Sequence, residues 1–87
     1  MNKSDHMTIY FYTRPGCHLC DDAKKVVVPI AQELNIEMLE RNIDTKDEWT
    51  EKYGLMIPVV EMGGELMAYG HVERRSLLTQ LKGRVNE

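Results

Sequence analysis

The run Thr8–Thr13, TIYFYT, is β-branched and aromatic throughout and stops at Arg14-Pro15-Gly16. A run without polar alternation predicts a strand buried on both faces, and Pro-Gly ends it in a turn. Directly behind stand Cys17-His18-Leu19-Cys20. From Leu19 the apolar residues Ala23, Val26, Val27, Ile30 and Leu34 recur at helical spacing, with Asp21, Asp22, Lys24 and Lys25 opposite. A central strand, a tight turn and an amphipathic helix that opens on two cysteines leave few folds available.

The rest of the chain narrows them further. Pro29 supplies no N–H and should kink the helix, and Asn35 reads as its C-cap. Ile36–Ile43 alternates imperfectly through Ile36, Met38, Leu39 and Ile43, as expected of a strand near a sheet edge. Thr45 and Glu48 read as a capping box for a short helix that carries Trp49 and Tyr53 and ends at Gly54. Met56–Val60 reads as a strand in which Pro58, lacking a ladder donor, must stand first. Gly63-Gly64 joins it to Glu65–Tyr69 as a two-residue β-hairpin. Val72–Leu81, with Leu77, Leu78 and Leu81 on one face and Gly83 behind, closes the chain as a helix. The order is βαβαββα. The first βαβ requires a parallel pair and the hairpin an antiparallel one, so an α/β fold is expected, a four-stranded mixed sheet covered by three helices.

With 87 residues there is room for one domain and one modest core, which excludes a two-domain enzyme. A net charge of -3 without a Lys/Arg run offers no footprint for nucleic acid and no polybasic patch for a membrane surface. No apolar run reaches membrane-span length, and the start lacks the build of a signal peptide, so the cytoplasm is the expected compartment and a monomer the expected state. The opening MNKSDHM is polar and unpatterned. Its His6-Met7 pair reads as an expression-vector junction, which makes residues 1–6 an N-terminal extension and residues 7–87 the domain.

A disulfide-stapled secreted scaffold normally carries four or more cysteines, and this chain has two. Cys17 falls where a helix begins, so unpaired backbone N–H groups and the positive end of the dipole favour a negative sulfur there. Free cysteine titrates near about 8.5, and a CxxC at a helix start lowers that value. Cys20, one turn on, is within reach of Cys17. The pair therefore suits thiol-disulfide exchange: Cys17 attacks a substrate disulfide and Cys20 resolves the mixed disulfide. His18 and Leu19 between them tune the poise, and a protonated His18 would further favour the thiolate. Asp21 and Asp22 complement the helix dipole while opposing a thiolate at Cys17. Two other readings stay open from the residues alone. The cysteines are structural, or they are metal ligands, although His6, His18 and His71 supply no second paired motif and no metal site is expected.

Taken together, YTRPGCHLC, the helix behind it, the distant Ile57-Pro58 and the Gly-Gly hairpin resemble the glutaredoxin-like branch of the thioredoxin superfamily, from Thr8 to Leu81. The resemblance implies a thioredoxin fold and a disulfide oxidoreductase with no cofactor beyond a redox-active Cys17-Cys20 pair. It implies a cis Pro58 facing Cys17, with the Ile57 backbone offering strand-like hydrogen bonds to a peptide or thiol substrate. It places Arg14 where glutaredoxins commonly have a lysine near the substrate carboxylate. His18 and Leu19 stand where glutaredoxins have Pro-Tyr, and Tyr69-Gly70-His71-Val72-Glu73 replaces the family's glutathione-binding segment of two glycines and two aspartates. Gly70 is thus the one retained glycine of a substrate-binding loop, and glutathione is expected to be a poor partner. The implied partners are a protein disulfide or a small thiol, with electrons from a thioredoxin-reductase-type flavoprotein or from glutathione. The alternatives are a metal or iron-sulfur module built on the two thiolates, and a redox-inert interaction domain that uses the Pro58 groove.

Overall fold

The computed structural model describes residues 8–85, so the expected extension at residues 1–6 lies outside the described residues. Strand β1 (Thr8–Thr13) is the pivot of a four-stranded sheet. Alternation sends Ile9 and Phe11 to one face and Tyr10 and Tyr12 to the other, and five of its six residues are buried. The turn after it is closed by the Cys17 N–H donating to the Arg14 carbonyl at 3.3 Å. Pro15 fills the position that favours proline, and Gly16, at φ 82°, supplies the left-handed backbone a type II turn needs next.

Helix α1 (His18–Glu33) continues through Pro29 as one element. It buries Cys20, Ala23, Val27, Ile30 and Ala31. At about 100° per residue, Leu19 and Val26 fall on the flank of that stripe. Leu19, expected on the apolar face, is accordingly 52% exposed. The helix ends one residue earlier than expected, with Leu34 at the C-cap and Asn35 beyond it at φ 57°. The Asn35 N–H bonds the Gln32 carbonyl and the Ile36 N–H the Ala31 carbonyl, which is the Schellman arrangement with asparagine in the left-handed position.

Strand β2 (Glu37–Asn42) pairs with β1 in parallel, Thr8 opposite Glu37 and Thr13 opposite Asn42, and forms the sheet edge as expected. Its alternation is imperfect because the buried residues, Ile36 and Ile43, flank the strand rather than belong to it. A 3-10 turn (Ile43–Thr45) follows, and helix α2 (Asp47–Tyr53) starts after it. Here the capping box fails. Lys46 is the N-cap and makes no side-chain cap bond, because a lysine side chain carries no acceptor; Thr45, one residue earlier, belongs to the 3-10 turn and donates its hydroxyl to the Asn42 carbonyl at 2.7 Å. The helix ends at Gly54, as expected.

The Ile57-Pro58 peptide is cis. Pro58 precedes the third strand rather than opening it, and β3 (Val59–Met62) begins one residue later and runs two further than expected. It lies antiparallel to β1, Tyr12 opposite Val59 and Ile9 opposite Met62. Gly63 and Gly64, both at positive φ, make the two-residue turn into β4 (Glu65–Tyr69) with Met62 opposite Glu65. Val60 pairs with Ala68 and Glu61 with Leu66, which leaves Met67 as an extra, buried residue in β4. Helix α3 (Arg74–Val85) starts two residues later than expected and passes through Gly83, because Leu77, Leu81 and Val85 extend one stripe beyond that glycine. Arg84 reaches back to Glu65 at 2.9 Å and ties the end of α3 to the hairpin.

The sheet order is β2-β1-β3-β4, with α1 and α3 on one face and α2 on the other. Ile9, Phe11, Val60 and Met62 meet Val27, Ile30, Leu77 and Leu81 on the first face. On the second, Tyr12 and Val59 meet Ile43 and Tyr53. Tyr12 stacks on Tyr53 at 4.2 Å and meets Trp49 edge-on at 5.6 Å. Arg41 lies over the Tyr10 ring at 4.2 Å and donates to the Tyr12 hydroxyl at 2.9 Å. No helix among the described residues is long and apolar enough to cross a membrane.

Candidate active site

The turn and α1 together put Cys17 at the N-cap and Cys20 inside the first turn, joined as a disulfide with their Cα atoms 5.1 Å apart. The Cys17 sulfur accepts the Cys20 N–H at 3.1 Å, so the sulfur itself caps the helix. Cys17 is half-buried and Cys20 is 2% exposed. That asymmetry follows from position, since the N-cap faces out at the helix end while Cys20 lies on the buried stripe. His18 and Leu19, between them, are both exposed.

Arg14 sits in the turn before Cys17, and its Nε donates to Asp44 in the 3-10 turn at 2.9 Å. This partner had no local signal, because it lies 30 residues away. Pro58 is fully buried, and Ile57 before it is half-buried. The Tyr53 carbonyl accepts both the Met56 N–H at 2.8 Å and the Ile57 N–H at 3.1 Å. Of the two Ile57 backbone groups expected to greet a substrate, the donor is therefore engaged within the chain, and the carbonyl is the one without a backbone partner among the described residues.

Gly70, at φ 70°, donates its N–H to the Pro58 carbonyl at 2.8 Å and the Met56 carbonyl at 3.0 Å. This bifurcated bond clips the loop after β4 to the proline loop. The same loop meets α1 across a small groove lined by Leu19, Ala23, Val26 and Val72, with Asp22 and His71 at its polar edge. Val72 is 6% exposed and belongs to the core. The sequence singles out Leu19 and Gly70 for the site, and Val72 as standing where the resembled family has a carboxylate, but not Ala23 or Val26. Spacing at 19, 23 and 26 was the available signal for the helix side. Among the described residues no three His, Cys, Asp or Glu side chains gather as metal ligands.

A thiol pair at a helix start, one sulfur accessible and one covered, is suited to accepting and passing on a disulfide. The chain is similar to known proteins in sequence and in fold. The model of the glutaredoxin-like domain family (DUF836) matches residues 8–82. A glutaredoxin-like protein of Dictyostelium discoideum is 29% identical over 65 residues, which cover 68% of this chain. The match spans 60% of that relative's length. A structural-genomics target protein of X. campestris superposes with a TM-score of 0.69 at 25% identity, over 86% of this chain and 96% of the other. Thioredoxin 1 of Thermosipho africanus gives a TM-score of 0.70 at 10% identity, over 92% and 96% of the two chains, a likeness of fold.

Proposed function

Because this chain belongs to the glutaredoxin-like domain family, we propose that it is a dithiol-disulfide oxidoreductase in which Cys17 attacks and Cys20 resolves. The observation that carries this reading is the disulfide-linked pair at the start of α1, with Cys17 accessible and Cys20 covered. In the reduced protein, the Cys17 thiolate attacks one sulfur of a substrate disulfide. A bond forms between Cys17 and that sulfur, and the other substrate sulfur leaves as a thiolate. Cys20 then loses its proton and attacks the Cys17 sulfur, which forms the Cys17-Cys20 disulfide and releases the second substrate thiolate. Two electrons pass from the dithiol to the substrate, and an external dithiol or thiol reductant returns them.

The surrounding residues act on the substrate. The Ile57 carbonyl accepts an N–H from an extended chain lying beside Cys17, with Pro58 as the floor. Gly70 holds that floor in place through its bond to the Pro58 carbonyl. Arg14 serves a substrate carboxylate by exchanging it for Asp44, since an exposed ion pair of this kind is worth only about 0.2–1 kcal/mol. His18 and Leu19 border the entering disulfide. Glutathione is a poor partner, because buried Val72 stands where the family places a carboxylate. Electrons then come from a thioredoxin-reductase-type flavoprotein.

Cys20→Ser supplies the test. It leaves the mixed disulfide on Cys17 unresolved, so a reduced Cys20→Ser sample mixed with a model peptide disulfide accumulates one covalent adduct, located by mass spectrometry on Cys17. Absence of the adduct with a disulfide that wild type reduces would overturn the assignment of roles.

A further inference from the structure

We infer that the sheet face on the α2 side carries a docking surface for an acidic segment of a partner protein, with Arg41 as its anchor and Tyr10, Trp49, Lys46 and Leu39 around it. This surface lies on the opposite face of the sheet from α1, so the inference stands apart from the disulfide exchange proposed above.

Arg41 is what singles out the place. Three arginines among the described residues are half-buried, Arg14, Arg41 and Arg84. Arg14 holds Asp44 and Arg84 holds Glu65, whereas Arg41 meets no carboxylate among the described residues. The acids beside it are engaged elsewhere, Glu40 with Lys24, Asp44 with Arg14, and Glu61 as acceptor of the Tyr53 hydroxyl. Glu37, Asp47 and Glu48 are exposed, and none forms an ion pair with Arg41 or Lys46 among the described residues. A cation drawn partly out of water gains most from an acid, and here the described chain supplies none. Nη1 of Arg41 bonds the Tyr12 hydroxyl at 2.9 Å, and the other guanidinium nitrogens have no acceptor among the described residues.

The group is also positioned beforehand. Arg41 lies 4.2 Å from the centre of the Tyr10 ring and 5.1 Å from that of Trp49. Packing against two rings holds the guanidinium in place before a ligand arrives, which lowers the ordering cost of a forked bond to a carboxylate. Lys46, 4.9 Å from the centre of the Trp49 ring, brings a second cation without an acid to the same indole. Leu39, opposite Tyr10 in the sheet and 41% exposed, adds apolar surface. Tyrosine, tryptophan and arginine are the side chains that dominate binding energy between proteins. The two cations set the sign of the partner, and the rings and Leu39 favour apolar side chains next to its acid. A protein segment brings both, whereas an inorganic anion brings only charge.

The test uses the isotope-labelled full chain and two blocked tetrapeptides, Leu-Glu-Glu-Leu and Leu-Gln-Gln-Leu. Trp49 is the one tryptophan, so its indole N–H signal reports on this surface alone. At low salt the glutamate peptide should shift that signal and bind about tenfold more tightly than the glutamine peptide, the factor expected of a charge-assisted contact. Arg41→Gln should bring the ratio to about twofold or less. Arg41→Lys keeps the charge and loses the fork, so it should bind the glutamate peptide about threefold more weakly than wild type, and it decides the matter if Arg41→Gln fails to fold. Lys46→Gln, at an exposed position, should weaken that peptide about twofold. An unmoved Trp49 signal, equal binding of the two peptides, a glutamate preference that persists in Arg41→Gln, or undiminished binding by Arg41→Lys overturns the surface. Inorganic phosphate and acetate supply the arms for a free anion. If either shifts the Trp49 signal at the concentration at which the glutamate peptide does, the site takes a small anion and the protein partner is wrong.

Discussion

At the scale of single residues, Cys17 holds two positions at once, as a sulfur in the disulfide and as the cap of α1. In the reduced protein the capping role remains, so Cys17→Ala should destabilise by about 1 kcal/mol while Cys17→Ser, which keeps an acceptor, should not. Urea unfolding of both variants under reducing conditions checks this. Alkylation separates the two sulfurs differently. Iodoacetamide should label half-buried Cys17 well before Cys20 at neutral pH, and peptide mapping after brief exposure reads the order. Tyr53 offers a pH-dependent test on the other face of the sheet. Burial first, and then donation of its hydroxyl to Glu61 at 2.6 Å, hold the phenol well above the usual tyrosine range. A group raised in the folded state contributes stability below its unfolded value, near 10, and loses it as pH climbs beyond. Wild type should therefore exceed Tyr53→Phe by about 1 kcal/mol at neutral pH, and the gap should shrink above about pH 10. Paired denaturation curves across that range measure it.

Among the elements, α2 and the loop behind it matter most for the site, because the Tyr53 carbonyl anchors Met56 and Ile57. Gly54 sits at the hinge between them with ordinary φ, yet a Cβ there would come 2.5 Å from the Thr50 carbonyl oxygen. Gly54→Ala should cost about 1–3 kcal/mol, the range for overpacking, and lower exchange activity through the displaced Ile57. Calorimetry and a disulfide-reduction assay would report the two effects together. This element also shows what the sequence could and could not disclose. TIYFYT, the CxxC and Gly63-Gly64 were legible because their signals are local: a buried run, a turn and a helix start, and two residues at positive φ. The Thr45-Glu48 box was misleading, since the 3-10 turn that takes in Thr45 and moves the N-cap to Lys46 leaves no pattern of its own. The Arg14–Asp44 pair and the Val72 wall depend on which distant segments meet, and the hydrophobic pattern carries no such information.

For the molecule as a whole, β1 joins the two clusters, giving Ile9 and Phe11 to one and Tyr12 to the other. Neither cluster can lose its packing while the strand stays in register, so a single cooperative transition is expected. Trp49, the one tryptophan, reports on the α2 face. The α1 and α3 helices dominate far-ultraviolet circular dichroism, so the two signals should fall together in urea, and separated midpoints would contradict the coupling. The bridge from Arg84 to Glu65 has a different consequence. It fastens the end of α3 beside the hairpin, and Ile9 at the start of β1 faces Met62 at the other end of that same turn. Both ends of the described chain thus emerge at one pole, while Cys17 follows the far end of β1. A bead or electrode grafted at either end would leave the sulfur pointing outward, and immobilised protein should stay as reactive as free protein.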